Sequence, residues 1–273
     1  MPSCARLRYL ESHPRTASAS WGDRDPLGTL VLLHAFPLGA RMWEPQRALA
    51  GRGWRIVMPQ FRGFDCTTSD VPEAATVEDY ARDVADLLET LAIDRAVIGG
   101  LSMGGYVALE LFRRVPHLFG GLVLADTRAE ADTPEGRANR VRLIELAAHG
   151  PAAIADEMIP KLLGPTTRRS APSVEARVRA LIVANQASAI QAALRAMMTR
   201  PDSTPLLPSI DVPTLIVVGE EDALTPPPLS ATMAEVIRQA ELVHLPEAGH
   251  LSSLEQPQPF NAALANFLAR LKS

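Results

Sequence analysis

Short runs of apolar residues, each closed by a turn-forming residue, punctuate the chain. They fall at residues 30–33, 55–58 before Pro59, 96–98 before Gly99-Gly100, 122–124 before Asp126, 214–218 before Gly219 and 241–245 before Pro246. Runs that are apolar throughout suit strands buried on both faces, the condition of a parallel sheet covered by helices. Between them the period changes. Across 77–91, Val84, Leu87, Leu88 and Leu91 recur at helical spacing, with Thr76 placed to cap and Glu78 and Asp79 in the first turn. Val107, Ala108 and Leu111 share one side of a second helix, which must end before Pro116. Strand and helix in alternation predict a doubly wound α/β sheet.

Residues 128–200 interrupt that rhythm. No strand-like run occurs there, and Pro151, Pro160, Pro165 and Pro172 divide it into several helices. Ile190, Leu194, Met197 and Met198 lie on one apolar face of the last of them. The interval holds 11 basic against 7 acidic residues, a surplus of +4 that leaves −8 for the rest of the chain. It is expected to be a helical lid, residues 128–205, inserted into an α/β core made of 1–127 and 206–273.

Composition narrows the class. With 273 residues and 47% of them apolar, the chain can bury one sizeable core, and disordered or collagen-like chains are excluded. A net charge of −4 without a long basic run argues against nucleic acid as a partner. Cys4 and Cys66 stand outside any metal-binding or redox spacing and read as free thiols of a reducing compartment. Arg6 and Arg8 stand where a signal peptide needs an apolar core, and the uncharged stretch 96–109 is shorter than the ~18 residues that span a bilayer. A soluble cytoplasmic protein without membrane attachment is expected; the oligomeric state is left open.

Gly100-Leu101-Ser102-Met103-Gly104 fits G-x-S-x-G and lies where a strand should turn into a helix. Such a turn leaves no room for side chains at the glycines and holds the serine in strained backbone with its hydroxyl in the cleft. The helix N-terminus behind it directs N–H groups at a developing oxyanion. A serine hydroxyl needs a base. Of six histidines, His13, His117 and His149 lie in polar stretches, His244 alternates within a strand and reads as structural, and His34 ends a strand. His250, in a loop after the last strand, can reach the carboxyl edge of the sheet, where α/β folds place their sites. The imidazole needs a carboxylate. Glu220, Glu221 and Asp222 all follow a strong strand; Asp222 is preferred, stiffened by Pro226-Pro227-Pro228, with Asp126 as its rival. A second oxyanion donor is expected from His34-Ala35-Phe36-Pro37, through the Phe36 N–H beside that of Met103.

From about Thr29 to its C-terminus, the chain resembles the α/β-hydrolases, in their esterase, enol-lactonase and cofactor-free haloperoxidase branch. The resemblance rests on Gly100 to Gly105, the His34 to Pro37 loop, Gly219-Glu220-Glu221-Asp222 and Gly249-His250. It implies a mostly parallel eight-stranded sheet with Ser102 as nucleophile, His250 as base, Asp222 as orienting acid and backbone donors at Phe36 and Met103. His34 would then support the oxyanion loop. Two departures stand out: Gln60-Phe61-Arg62-Gly63-Phe64-Asp65 replaces the usual Asp-x-Arg-Gly-x-Gly, and His34-Ala35 the usual His-Gly.

The expected reaction is hydrolysis of a small-molecule carboxylic ester or lactone through an acyl-enzyme, with no metal, nucleotide or other cofactor. Trp43, Met158, Leu162, Met197, Met198 and Leu251 are the expected pocket, beside Phe36 and Met103, and suit a small to medium, largely apolar acyl group. The lid's positive surplus points instead to an anionic lactone. Perhydrolysis, C–C bond hydrolysis and a ligand-binding pseudo-hydrolase remain alternatives.

Overall fold

A computed structural model describes residues 7–14, 26–64 and 75–271. Cys4, Cys66 and Asp65 lie outside them. The strands are β1 (Tyr9–Ser12), β2 (Thr29–Leu33), β3 (Arg55–Pro59), β4 (Ala96–Leu101), β5 (Phe119–Ala125), β6 (Thr214–Gly219) and β7 (Ala240–Leu245). They form one sheet in the order β1-β3-β2-β4-β5-β6-β7, with β1 antiparallel to β3 and every other pairing parallel. The expected eight strands are thus seven among the described residues.

The apolar runs behave as their composition requires. All six residues of β4 and of β6 are buried, since helices cover both faces of these central strands. The edge strand β7 is only partly covered; His244, expected to be structural, is exposed there. β1 escapes the hydrophobic pattern because Tyr9-Leu10-Glu11-Ser12 is a half-exposed edge strand. Helix α1 (Val77–Thr90) opens with a reciprocal cap: the Asp79 N–H donates to Thr76 Oγ1 at 3.1 Å, and the Thr76 N–H donates to Asp79 Oδ2 at 3.0 Å. Helix α2 (Met103–Arg114) ends at Val115, ahead of Pro116.

Between β5 and β6 lie five helices: α3 (Pro134–Ala147), α4 (Pro151–Leu162), α5 (Pro165–Ser170), α6 (Pro172–Val183) and α7 (Ala187–Met198). Four of the five begin at a proline, whose fixed φ and missing N–H suit the first helical turn. Helix α8 (Pro227–Val236) follows β6, and α9 (Ser252–Glu255) and α10 (Pro257–Arg270) follow β7. No helix among the described residues is long and apolar enough to cross a membrane.

Register places the chemistry. Leu33 is level with Gly100, Leu101 with Ala125, and Ala125 with Val217. The residues that follow β2, β4, β5 and β6 therefore emerge along one edge of the sheet: His34, Ser102, Asp126 and Glu220 to Asp222.

Candidate active site

The turn from β4 into α2 explains its glycines atom by atom. A Cβ on Gly100 would lie 2.1 Å from the Gly104 carbonyl, and one on Gly104 would lie 2.1 Å from the Leu33 carbonyl oxygen. On Gly105 it would meet Thr127 Oγ1 at 2.4 Å. Ser102 between them has φ 55° and ψ −114°, strained for an L-residue. Neighbours over-determine that strain: the Ser102 N–H donates to the Ala125 carbonyl at 2.9 Å, and Thr127 Oγ1 donates to the Ser102 carbonyl at 2.8 Å.

Ser102 Oγ lies 2.8 Å from His250 Nε2. The other ring nitrogen, Nδ1, lies 2.8 Å from Asp222 Oδ2 and 3.0 Å from Oδ1. A carboxylate facing Nδ1 fixes the proton there and leaves the Nε2 lone pair toward the hydroxyl. Asp222 also accepts the N–H groups of Leu224 and Thr225, at 2.8 and 3.0 Å, and the Thr225 hydroxyl at 2.7 Å. Burial opposes its charge, but the His250 imidazole and these hydrogen bonds prevail and hold the carboxyl below the usual carboxylate range.

The rival acid does something else. Asp126 accepts the Gly219 N–H at 2.9 Å and, from Ser252, the N–H at 3.3 Å and the hydroxyl at 2.5 Å. It therefore ties the loop that carries Asp222 to the loop that carries His250. Burial, then the neighbouring Asp222 charge, push its carboxyl well above the usual range. Of the other acids after β6, Glu220 is exposed, and Glu221 accepts the Thr166 N–H at 2.9 Å.

The loop that follows β2, expected to carry an oxyanion donor at Phe36, is held from two sides. His34 is fully buried; its Nδ1–H donates to the Ala35 carbonyl at 3.0 Å and its Nε2 accepts the Phe61 N–H at 3.1 Å. Burial lowers its pKa to about 4, so the ring is neutral. From the helical insertion, Asn185 Nδ2 donates to the Pro37 and Leu38 carbonyls at 2.7 and 2.6 Å. Gln60, where the family pattern has an acid, accepts the Ala40 N–H at 2.6 Å and so serves the same loop. The N–H groups of Phe36 and Met103 have no protein acceptor among the described residues. Met103 is the first residue of α2, where the helix supplies none.

A cleft of about 670 Å³, part of it open to solvent, lies over Ser102 and His250. Phe36, Met158, Leu162 and Met197 line it as expected, joined by Tyr106, Leu143, Leu224, Thr225 and the charged Arg128, Asp132, Arg140 and Lys161. Trp43, Met198 and Leu251 do not line it, nor does Met103 through its side chain. Trp43 is buried against Phe260, with ring centroids 6.0 Å apart; Leu251 is fully buried and Met198 half-buried. These side chains pack within the fold, which demands the same apolar character as a pocket wall.

A doubly wound sheet whose strained serine, loop imidazole and strand-end carboxylate meet at one edge defines the α/β-hydrolase class. The chain belongs to the alpha/beta hydrolase family, whose sequence description matches residues 30–263. It is similar to a thermophilic esterase from Thermogutta terrifontis, solved with malate bound, at 37% identity and TM-score 0.89; the match covers 98% of this chain and 94% of that one. It is also similar to the enol-lactonase of Burkholderia xenovorans LB400, at 27% identity and TM-score 0.84, covering 96% of each chain. A Variovorax paradoxus relative named "Putative carbamate hydrolase RutD" is 31% identical over 263 residues, 90% of this chain and 94% of that one.

Proposed function

We propose that the protein is a serine hydrolase of small to medium carboxylic esters or lactones, working through an acyl-enzyme on Ser102. The observation that carries this reading is the continuous relay of Ser102 Oγ, His250 and Asp222, with 2.8 Å at each link. Ser102 Oγ attacks the substrate carbonyl while its proton passes to His250 Nε2, and the Asp222 carboxylate stabilises the imidazolium. The tetrahedral oxyanion takes the N–H groups of Phe36 and Met103, donors of a kind worth ~3 kcal/mol each. As the intermediate collapses, His250 returns the proton to the departing alcohol or enol oxygen. Water, deprotonated by the same imidazole, then releases the acid and restores the serine.

The relay leaves the substrate to the cleft wall. The helices between β5 and β6 act as the lid, with Leu143, Met158, Leu162 and Met197 lining the acyl side. Relatives bearing esterase and enol-lactonase names support an ester or lactone carbonyl. The test is hydrolysis of a p-nitrophenyl acyl series by wild type and Ser102→Ala. Loss of about 10³-fold or more in kcat is expected, as when a serine-hydrolase nucleophile is removed. Equal rates in the two proteins would refute the nucleophile.

A further inference from the structure

The cleft over Ser102 is charged unevenly. Four ionic side chains line it: Arg128, Asp132, Arg140 and Lys161. Asp132 is already shared between two guanidiniums, accepting Arg140 Nε at 2.9 Å and, from behind the wall, Arg200 Nη1 at 2.6 Å. One carboxylate against two cations leaves a positive charge over. Lys161 is matched by Glu157 at 2.6 Å near the surface.

Arg128 has no such match. Among the described residues it pairs with no carboxylate, and its hydrogen bond is Nη2 to the Leu224 carbonyl at 3.2 Å. Its Nε is buried with no acceptor. The acid of the small hollow on its other side, Glu110, is taken by Arg113 and Arg114 at 3.0 and 2.9 Å. A buried N–H of a cation that lacks an acceptor is unfavourable, and an anionic ligand in the cleft would complete the pairing. A guanidinium presents parallel donors whose spacing matches a carboxylate.

We propose that the physiological substrate carries a carboxylate besides its scissile carbonyl, and that Arg128 receives it in the cleft. This rests on the ester or lactone reading above and sharpens it. The lid's cations then serve recognition: the anion enters a wall with net positive charge, and Arg128 fixes the reach from carboxylate to Ser102. Neutral esters fit the apolar part of the cleft but leave Arg128 unanswered, so they are poorer substrates.

The test pairs p-nitrophenyl monoesters of succinic, glutaric and adipic acid with the same molecules capped as methyl esters. For wild type, kcat/KM should favour the free acid by tenfold or more at one chain length. Arg128→Met should cut that ratio at least tenfold, and Arg128→Lys, which keeps charge without the fork, should cut it less. Should Arg128→Met fail to fold, inhibition of wild type replaces it. The matching free dicarboxylate should then compete with substrate, and its diamide should compete at least tenfold more weakly. A wild type that turns over the capped esters through Ser102 with no preference for any free acid overturns the proposal and leaves the hydrolase reading intact. A ratio that Arg128→Met leaves unmoved overturns the assignment to Arg128. Absence of Ser102-dependent turnover of either ester set overturns both.

Discussion

Acid should loosen the loop after β2 through one buried imidazole. His34 joins the Ala35 carbonyl to the Phe61 N–H, and burial, slightly offset by the Ala35 bond, holds its pKa at about 4 against the usual 6.5. Between those values the unfolded chain binds the proton and the folded one does not, so stability rises with pH. The contribution is complete above pH ~6.5 and is lost as pH falls toward the folded value. The separation amounts to ~3 kcal/mol in all, of which ~2 kcal/mol has gone by pH 5. Other buried carboxyls also contribute to the pH dependence of stability. The raised Asp126 and Glu255 carboxyls act with the opposite sign, and the lowered Asp222 with the same sign as His34. A difference measurement separates them: urea unfolding of wild type and His34→Gln at pH 7 and pH 5. Wild type should be the more stable at pH 7, and its advantage should shrink by ~2 kcal/mol at pH 5. An advantage constant within ~0.5 kcal/mol would refute a buried, neutral His34.

Two further substitutions probe the scaffold around the serine. Gly104→Ala places a Cβ 2.1 Å from the Leu33 carbonyl oxygen, a backbone atom that cannot yield cheaply; a loss of ~1–3 kcal/mol is expected, with a matching fall in kcat. Gly51→Ala, with nothing within 4 Å of its Cβ, is the control, and equal thermal shifts for the two would contradict the packing account. Asn185→Ala removes the donors to the Pro37 and Leu38 carbonyls and should cost ~1–3 kcal/mol, lowering kcat more than it raises KM. A destabilised variant with unchanged kcat would show that Asn185 supports the fold but not the oxyanion donors.

What could be read from the chain alone follows the range of the interactions. The central strands announce themselves because burial on both faces leaves no polar position, and Gly100, Gly104 and Gly105 because a tight turn is a local demand. β1 is silent since an edge strand needs no continuous apolar run. Nothing in the chain alone marks Asn185: its partners Pro37 and Leu38 lie almost 150 residues away, and a lone Asn at a helix end reads as an ordinary terminator. The cleft wall was half legible. Met158, Leu162 and Met197 reach it while Trp43, Met198 and Leu251 do not, because hydrophobicity marks what leaves water and not which surface it leaves water for. Arg128 is hidden in the surplus of charge between β5 and β6, since its distinction is the lack of a carboxylate partner among the described residues.

Asp126 and Asp222 end neighbouring parallel strands, and their separation into two roles comes from what surrounds each. Asp222 gathers an imidazole, two N–H groups and a hydroxyl, all of which favour charge; Asp126 is sealed in, close to that charge, and is driven toward its neutral form. Pushing paired carboxyls apart in this way lets one act on the histidine while the other holds Gly219 and Ser252 in register. A second tie runs to the insertion: Glu255 accepts the Gly164 N–H at 2.8 Å and the Leu251 N–H at 3.0 Å, linking the start of α5 to the loop of His250. The relay is thereby locked to the core, while half of the cleft wall, Leu143, Met158, Leu162 and Met197 with Gly136, Asn139, Arg140 and Lys161, comes from helices α3, α4 and α7.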